Sequence, residues 1–345
     1  MKRFKGIIIT LGLFLTLLTT GCHDAPDYVN DAYGNFDALV DIIDTRYCFF
    51  EEKDINWKEV AQRYRKELKP GMTYLDFFNI CASMLDELKD GHVNLTSQFN
   101  TSYYRAWWSD YPQDFNLRTL QQYYLGFDYM QISGISYKLL DEEIGYMYYP
   151  SFSSGISEAS LDNILYYFKD CKALILDIRD NGGGLLSNID ILVGRFINHE
   201  TPGGSIRHKT GPGHNDFSEP FLITYKPSLN RVGWETDKPI YVLTNRSCFS
   251  AANDFVAVMK SLPNVKIVGA KTGGGGGLPF SSELPIGWAI RFSACPMTAP
   301  DGSVTEFGIE PSEGYECHSP DSQLAEGTDN ILEFALRAAK GEATK

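Results

Sequence analysis

The chain has 345 residues, 43% apolar and 13% aromatic, enough for one large core or two modest ones and too apolar for a disordered or repeat protein. With 31 basic against 44 acidic residues its formal charge is −13, which argues against nucleic acid as a partner. Its seven cysteines show no Cys-x-x-Cys spacing, so neither a zinc site nor a redox motif is indicated.

At the N-terminus, Lys2, Arg3 and Lys5 precede an apolar run from Gly6 to Leu18, the layout of a bacterial export signal over residues 1–21. The run is too short for a comfortable membrane span. Leu18, Thr19, Thr20, Gly21 and Cys22 resemble a lipobox, which implies cleavage before Cys22, lipid attachment to its thiol, and anchoring in the bacterial envelope on a periplasmic or outer-membrane face. Residues 22–30 form a polar tether. Apolar residues recur at helical spacing over 31–49, 57–67 and 74–88, predicting an N-terminal helical subdomain across 31–96 and a core domain across 97–345. Lys89, Asp90 and Gly91 break the last helix, placing His92 at its junction with a strand around Val93–Leu95. The aromatic, irregular stretch from Ser97 to Tyr137 predicts strands and long loops that wall a substrate groove.

From Ile144 onward strands and helices alternate, the signature of an α/β fold built from stacked βαβ-type units. Ala173 to Ile178 is a continuous apolar run suited to a buried parallel strand, followed by Arg179, Asp180, Asn181 and three glycines, 182–184. Consecutive N–H groups in such a turn form an anion-binding concavity. The lysine and hydroxyl of a P-loop are missing and the dinucleotide spacing does not fit, which leaves an oxyanion hole. Thr201 to Thr236 predicts a strand pair or a mobile flap. Ile240 to Leu243 is a second buried strand, and Ala251, Phe255, Val258 and Met259 then recur at helical spacing, so Ser250 falls at the first helical turn as either a nucleophile or an N-cap. Cys248, in the preceding loop, is the weaker nucleophile candidate. Gly273 to Gly277 predicts a backbone groove, a hinge or a surface turn. Strands over Trp288–Pro296 and Phe307–Pro311 and a helix over Asn330–Ala339 close the chain.

The motifs DGH at 90–92, DIRDNGGG at 177–184, TNRSCFSAAND at 244–254, VGAKTGGG at 268–275 and TEFGIEP at 305–311 stand in order. With them the chain resembles the C-terminal processing (tail-specific) serine peptidase family, closer to its branch similar to the tricorn core and interphotoreceptor retinoid-binding protein. The resemblance implies a stacked ββα core of the crotonase/ClpP-like kind behind a helical subdomain, cleaving polypeptides through an acyl-enzyme with no metal or organic cofactor. It implies Ser250 as nucleophile and the amides of Gly183 or Gly184 and of Ala251 as oxyanion donors. Two bases match different branches. Lys271 fits the lysine dyad, although that branch carries a glutamate where this chain has Asn253. His92 fits the histidine branch, in which Glu306 would orient the imidazole directly or through a neighbouring hydroxyl. Only about fifty residues separate Asn94 from Ile144, too few for the peptide-gripping PDZ module of many members. The same scaffold also admits a non-catalytic lipid- or peptide-binding protein, or an esterase-type acyl hydrolase.

Overall fold

A computed structural model describes residues 27–342. The expected export signal, the lipid-attachment residue Cys22 and the start of the tether lie outside the described residues. In chain order the strands are β1 (Asn94–Thr96), β2 (Met130–Ile132), β3 (Ile135–Leu140), β4 (Ile144–Tyr148), β5 (Ala173–Asp177), β6 (Thr201–Ile206), β7 (Phe221–Tyr225), β8 (Ile240–Thr244), β9 (Val265–Gly269), β10 (Gly277–Glu283) and β11 (Ala289–Thr298). The principal helices are α1 (Ala32–Arg46), α2 (Trp57–Arg65), α3 (Tyr74–Asp86), α4 (Glu158–Tyr167), α5 (Ser187–Val193), α6 (Ala251–Lys260) and α7 (Asn330–Ala339).

One sheet runs β2-β3-β4-β5-β8-β9, antiparallel at its β2–β4 end and parallel from β4 to β9. Its central strands are apolar on both sides because both faces are covered. Leu174, Leu176, Ile240 and Val242 pack into the core beneath α4, α5 and α6, while Ile175, Tyr241 and Leu243, one residue out of phase, meet α7 on the other face. Burying Arg179 between Asp177 and Asp329, at 2.6 and 2.8 Å, fastens the end of β5 to the start of α7.

The second sheet joins β1, β11, β6 and β7, with β10 also paired to β11. The N-terminal helices pack on it: Phe36, Leu39, Phe77 and Met84 share one core with Trp288, Ile290 and Phe292. The register of β1 is fixed by antiparallel pairing of Leu95 with Ile290, and the Cys48 N–H donates to the Ser293 carbonyl at 3.1 Å. These bonds carry the N-terminal segment to the core and hold His92, two residues before β1, against the first sheet's loops.

Most expected elements form within two or three residues of their predicted bounds, and Thr201–Thr236 contains the expected strand pair, β6 against β7. Two expectations fail. Phe307–Pro311 is not a strand: Thr305–Phe307 forms a single 3₁₀ turn, and after Gly308, at φ +87°, Ile309 bonds to the backbone N–H and the hydroxyl of Thr272, a loop residue, instead of joining a ladder. The segment 97–137 is more helical than expected, with short turns at Ala106–Ser109 and Leu117–Thr119 and a π-helical turn at Leu120–Leu125 whose Leu120 and Leu125 fill the core under α7.

Candidate active site

Ser250 sits between β8 and α6 in a loop stitched to its neighbours. The Phe249 N–H donates to the Asn181 carbonyl at 3.1 Å, the Ser250 N–H to the Gly274 carbonyl at 2.8 Å, and the Gly273 N–H to the Cys248 carbonyl at 2.7 Å. These bonds hold Ser250 at φ +57° and ψ −125°, a conformation that non-glycine residues rarely adopt and that costs on the order of 1–3 kcal/mol. Its side chain makes no helix-capping hydrogen bond, so the N-cap alternative fails. Instead Oγ lies 3.0 Å from Nε2 of His92. Cys248 is fully buried, with its thiol donating to the Ile178 carbonyl at 3.0 Å, and burial pushes its ionisation far above the ordinary thiol range. It is a core residue rather than a nucleophile.

His92 is 3% exposed, and its ring packs 4.7 Å from that of Phe249. Its backbone N–H donates to Asp90 Oδ1 at 2.7 Å, which fixes the turn out of α3. Burial pushes the imidazole down to about 4, against the opposing pull of Asp90 and with help from Arg291 and Lys53. The ring is therefore neutral at ordinary pH, and a neutral Nε2 can take a proton from Ser250.

The glycine turn after β5 faces the same point. Asn181, fully buried, accepts from the N–H groups of Gly183 and Phe152 at 3.0 and 3.2 Å and donates to the Tyr149 carbonyl at 2.9 Å. The Gly183 N–H is thus already engaged, whereas neither the Gly184 nor the Ala251 N–H has a hydrogen-bond partner among the described residues. Gly183 lies close over Ser250 at φ +93°: a Cβ there would come within 2.6 Å of the Phe249 carbonyl oxygen and 2.9 Å of both the Ala251 nitrogen and Ser250 Cβ. Gly183→Ala is expected to lower kcat/KM by roughly 10²-fold or more, because the turn must move away from Ser250; a melting temperature within a few degrees of the parent would confirm that the loss is local.

Glu306 reaches the site's far side but does not bond to His92. Its Oε1 pairs with Lys53 at 2.6 Å, and its Oε2 is buried without a partner, as is Nδ1 of His92. Among the described residues no hydroxyl links the two, since neither Oε2 of Glu306 nor Nδ1 of His92 has a hydrogen-bond partner. Lys53 also lies 3.6 Å from Asp90 Oδ2, which accepts from the Tyr47 hydroxyl at 3.0 Å. One cation thus serves two buried carboxylates. Burial acts to raise Asp90, but the Lys53 charge, His92 and its N–H hold it below the usual carboxylate range, while burial and the Asp90 charge push Glu306 up to about 8.

Lys271 is elsewhere. Its ammonium pairs with Glu310 at 2.7 Å on the surface, 39% exposed, and has no contact with Ser250. Asn253, where the dyad branch has glutamate, instead donates to the Thr305 carbonyl and accepts from the Thr272 hydroxyl. The 273–277 glycine run is buried and lies along the site, with Gly274 at φ +83° so close to the Glu306 carbonyl that any Cβ would overlap it. It is a packed backbone groove, neither hinge nor surface turn. Trp107, from the aromatic segment, stacks on Phe249 at 4.2 Å and lines a cleft of about 590 Å³ together with Tyr103, Tyr104, Trp108, His92 and Ser250.

Lys53, Tyr47 and Asn181 are site residues that sequence reading passed over. Asn181 stood in a quoted motif and could have been singled out as the only amide beside three glycines. Lys53 and Tyr47 carry no local signal, since their helical-region context is indistinguishable from that of any surface lysine or core tyrosine.

The model of peptidase family S41 matches residues 143–313, and that of the tricorn protease C1 domain matches residues 29–86. A crystal structure of a candidate peptidase from Parabacteroides merdae ATCC 43184 superposes on 90% of this chain and 97% of its own with a TM-score of 0.85 and 45% sequence identity. The chain belongs to peptidase family S41. The carboxy-terminal processing protease CtpB of Bacillus subtilis (strain 168) is 23% identical over 177 residues, 51% of this chain and 34% of that protein, so the match spans about a third of the curated relative. Mature CPAF, at 12% identity, shares the fold over 90% of this S41 chain and 98% of its own, with a TM-score of 0.69.

Proposed function

We propose that this chain is a serine endopeptidase that hydrolyses exported polypeptides through an acyl-enzyme. The observation that carries the reading is the 3.0 Å contact between Ser250 Oγ and His92 Nε2, made by a serine held in a strained conformation instead of capping its helix. Ser250 attacks the scissile carbonyl as His92 takes its proton. The unpaired amides of Ala251 and Gly184, with Gly183 if its bond to Asn181 yields, receive the oxyanion. His92 then protonates the leaving amine, and a water activated by the same imidazole releases the acyl group. Asp90, held ionised, supplies the negative charge that favours the transient imidazolium, and Glu306, pushed up to about 8, adds its own charge only as pH rises past that value. Lipid attachment at Cys22 would hold the mature chain on the cell envelope, with residues up to about 30 as its tether.

A fluorophosphonate probe is expected to label Ser250 of the mature protein and to fail on the Ser250→Ala variant. Folded parent protein that stays unlabelled would defeat the proposal.

The pH profile separates the two candidate bases. His92 must be neutral to accept a proton, and its depressed value of about 4 places the acid limb of kcat/KM low. Activity should therefore rise through about pH 4–5 and be level at neutrality. A limb above pH 7 that survives in the His92→Ala variant would transfer the role to Lys271.

A further inference from the structure

Beside the nucleophile lies a second, smaller cavity of about 140 Å³, lined by Ser250, Gly184, Leu186, Leu278, Met297 and Asp254 among others. Ser250 and Gly184 also line the larger cleft, so the two spaces meet at the reacting hydroxyl. Asp254 comes from α6, where its N–H donates to the Ser250 carbonyl at 3.0 Å, placing it one helical turn, about 6 Å, beyond the nucleophile. The residue is only 8% exposed, and its one side-chain hydrogen bond, from the Thr305 hydroxyl, is long at 3.5 Å. Burial pushes this carboxyl up to about 7, and the single opposing influence is Thr305, with no cation contributing. Arg291 also borders the cavity, but its charge acts on His92 and Asp90 at the mouth rather than on Asp254.

A buried acid without a cation, facing an open space beside a nucleophile, is a recognition group awaiting its partner. We propose that this cavity receives the substrate side chain on the acyl side of the scissile bond and that Asp254 selects one ending in a cationic hydrogen-bond donor, lysine first. The inference rests on Ser250 being the nucleophile. Leu186, Leu278 and Met297 offer apolar walls for a methylene stem, and the ammonium at its end pairs with the Asp254 carboxylate. An aliphatic side chain of equal length fills the same space but leaves Asp254 buried and unpaired, the situation in which polar sites discriminate most strongly.

The test uses two peptidyl diphenyl phosphonates identical except for lysine or norleucine at the position entering this cavity, with the rate of Ser250 modification read by intact mass. Mature parent protein is expected to react with the lysine reagent roughly tenfold or more faster, and the ratio should fall towards one in Asp254→Asn. Equal or faster reaction with norleucine in the parent, or an unchanged ratio in a folded Asp254→Asn protein, overturns the proposal; the parent ratio decides alone if the variant does not fold. Labelling of Ser250 by a small fluorophosphonate without preference between the peptides sinks the role of Asp254 and leaves the peptidase reading standing. No labelling by any of the three reagents removes the nucleophile, and this inference with it.

Discussion

Ser250→Ala is expected to lower kcat for peptide hydrolysis by about 10⁴-fold or more, and His92→Ala by a similar factor, while Lys271→Ala stays within about twofold of the parent. The first two remove halves of one device: with Oγ and Nε2 3.0 Å apart, neither an alkoxide-generating base without a hydroxyl nor a hydroxyl without a base performs acyl transfer. The double variant should therefore be no slower than either single one, a non-additivity that independent contributions would not produce. Lys271 spends its charge on Glu310 at the surface and is separated from the chemistry. Single-turnover rates on one unfolded protein substrate supply all four numbers. A His92→Ala enzyme retaining more than a tenth of the parent rate would contradict the assignment.

Lys53→Met should produce the largest loss of stability among the site substitutions, about 3–5 kcal/mol, because it leaves Asp90 and Glu306 buried without their shared cation. The pH dependence has a definite sign. Lys53 is raised above its ordinary value, so its contribution is present below about 10.5 and is lost as pH rises through its folded value. Asp90 is lowered, so its contribution is present above 3.8 and is lost as pH falls through its folded value. Glu306 is raised to about 8, so keeping it ionised costs stability, least below 4.5 and most above 8. Without the lysine both carboxyls ionise less readily, and the destabilisation should be greatest near pH 9 and shrink towards pH 5 as they take up protons. Thermal unfolding of parent and variant across that range measures the trend. A difference that grows on acidification would mean that Lys53 does not neutralise these acids.

Much of the fold was legible because it is written in local periodicities. The apolar runs at 173–178 and 240–243 read as strands covered on both faces, and the helical spacing after Ser250 points to a helix there. The two misread stretches lack such a signal. Aromatic-rich 97–137 has no sustained period, so its short helical turns follow from where Leu120 and Leu125 find a core. Phe307–Pro311 looked like a strand, but it begins in a 3₁₀ turn and then pairs with the loop residue Thr272 rather than with a strand. The same distinction governs the site: Ser250, His92 and the glycine turn announce themselves by residue type at element junctions, whereas the service that Lys53 gives to Asp90 and Glu306 depends on contacts 37 and 253 residues apart in the chain.

By itself the sequence determined which chemistry was on offer: a hydroxyl at a helix start, an imidazole at a helix end, two possible bases, and glycine-rich turns with donors to spare. Tertiary structure alone decided which of these meet. Pairing of β1 with β11 delivers His92 to Ser250, and the surface ion pair of Lys271 withdraws it from the site. It also turned Glu306 towards a lysine rather than towards the imidazole. The reason is physical: periodicity and propensity act over a few residues, while proton transfer depends on distances of about 3 Å set by sheet register and core packing between segments far apart in the chain.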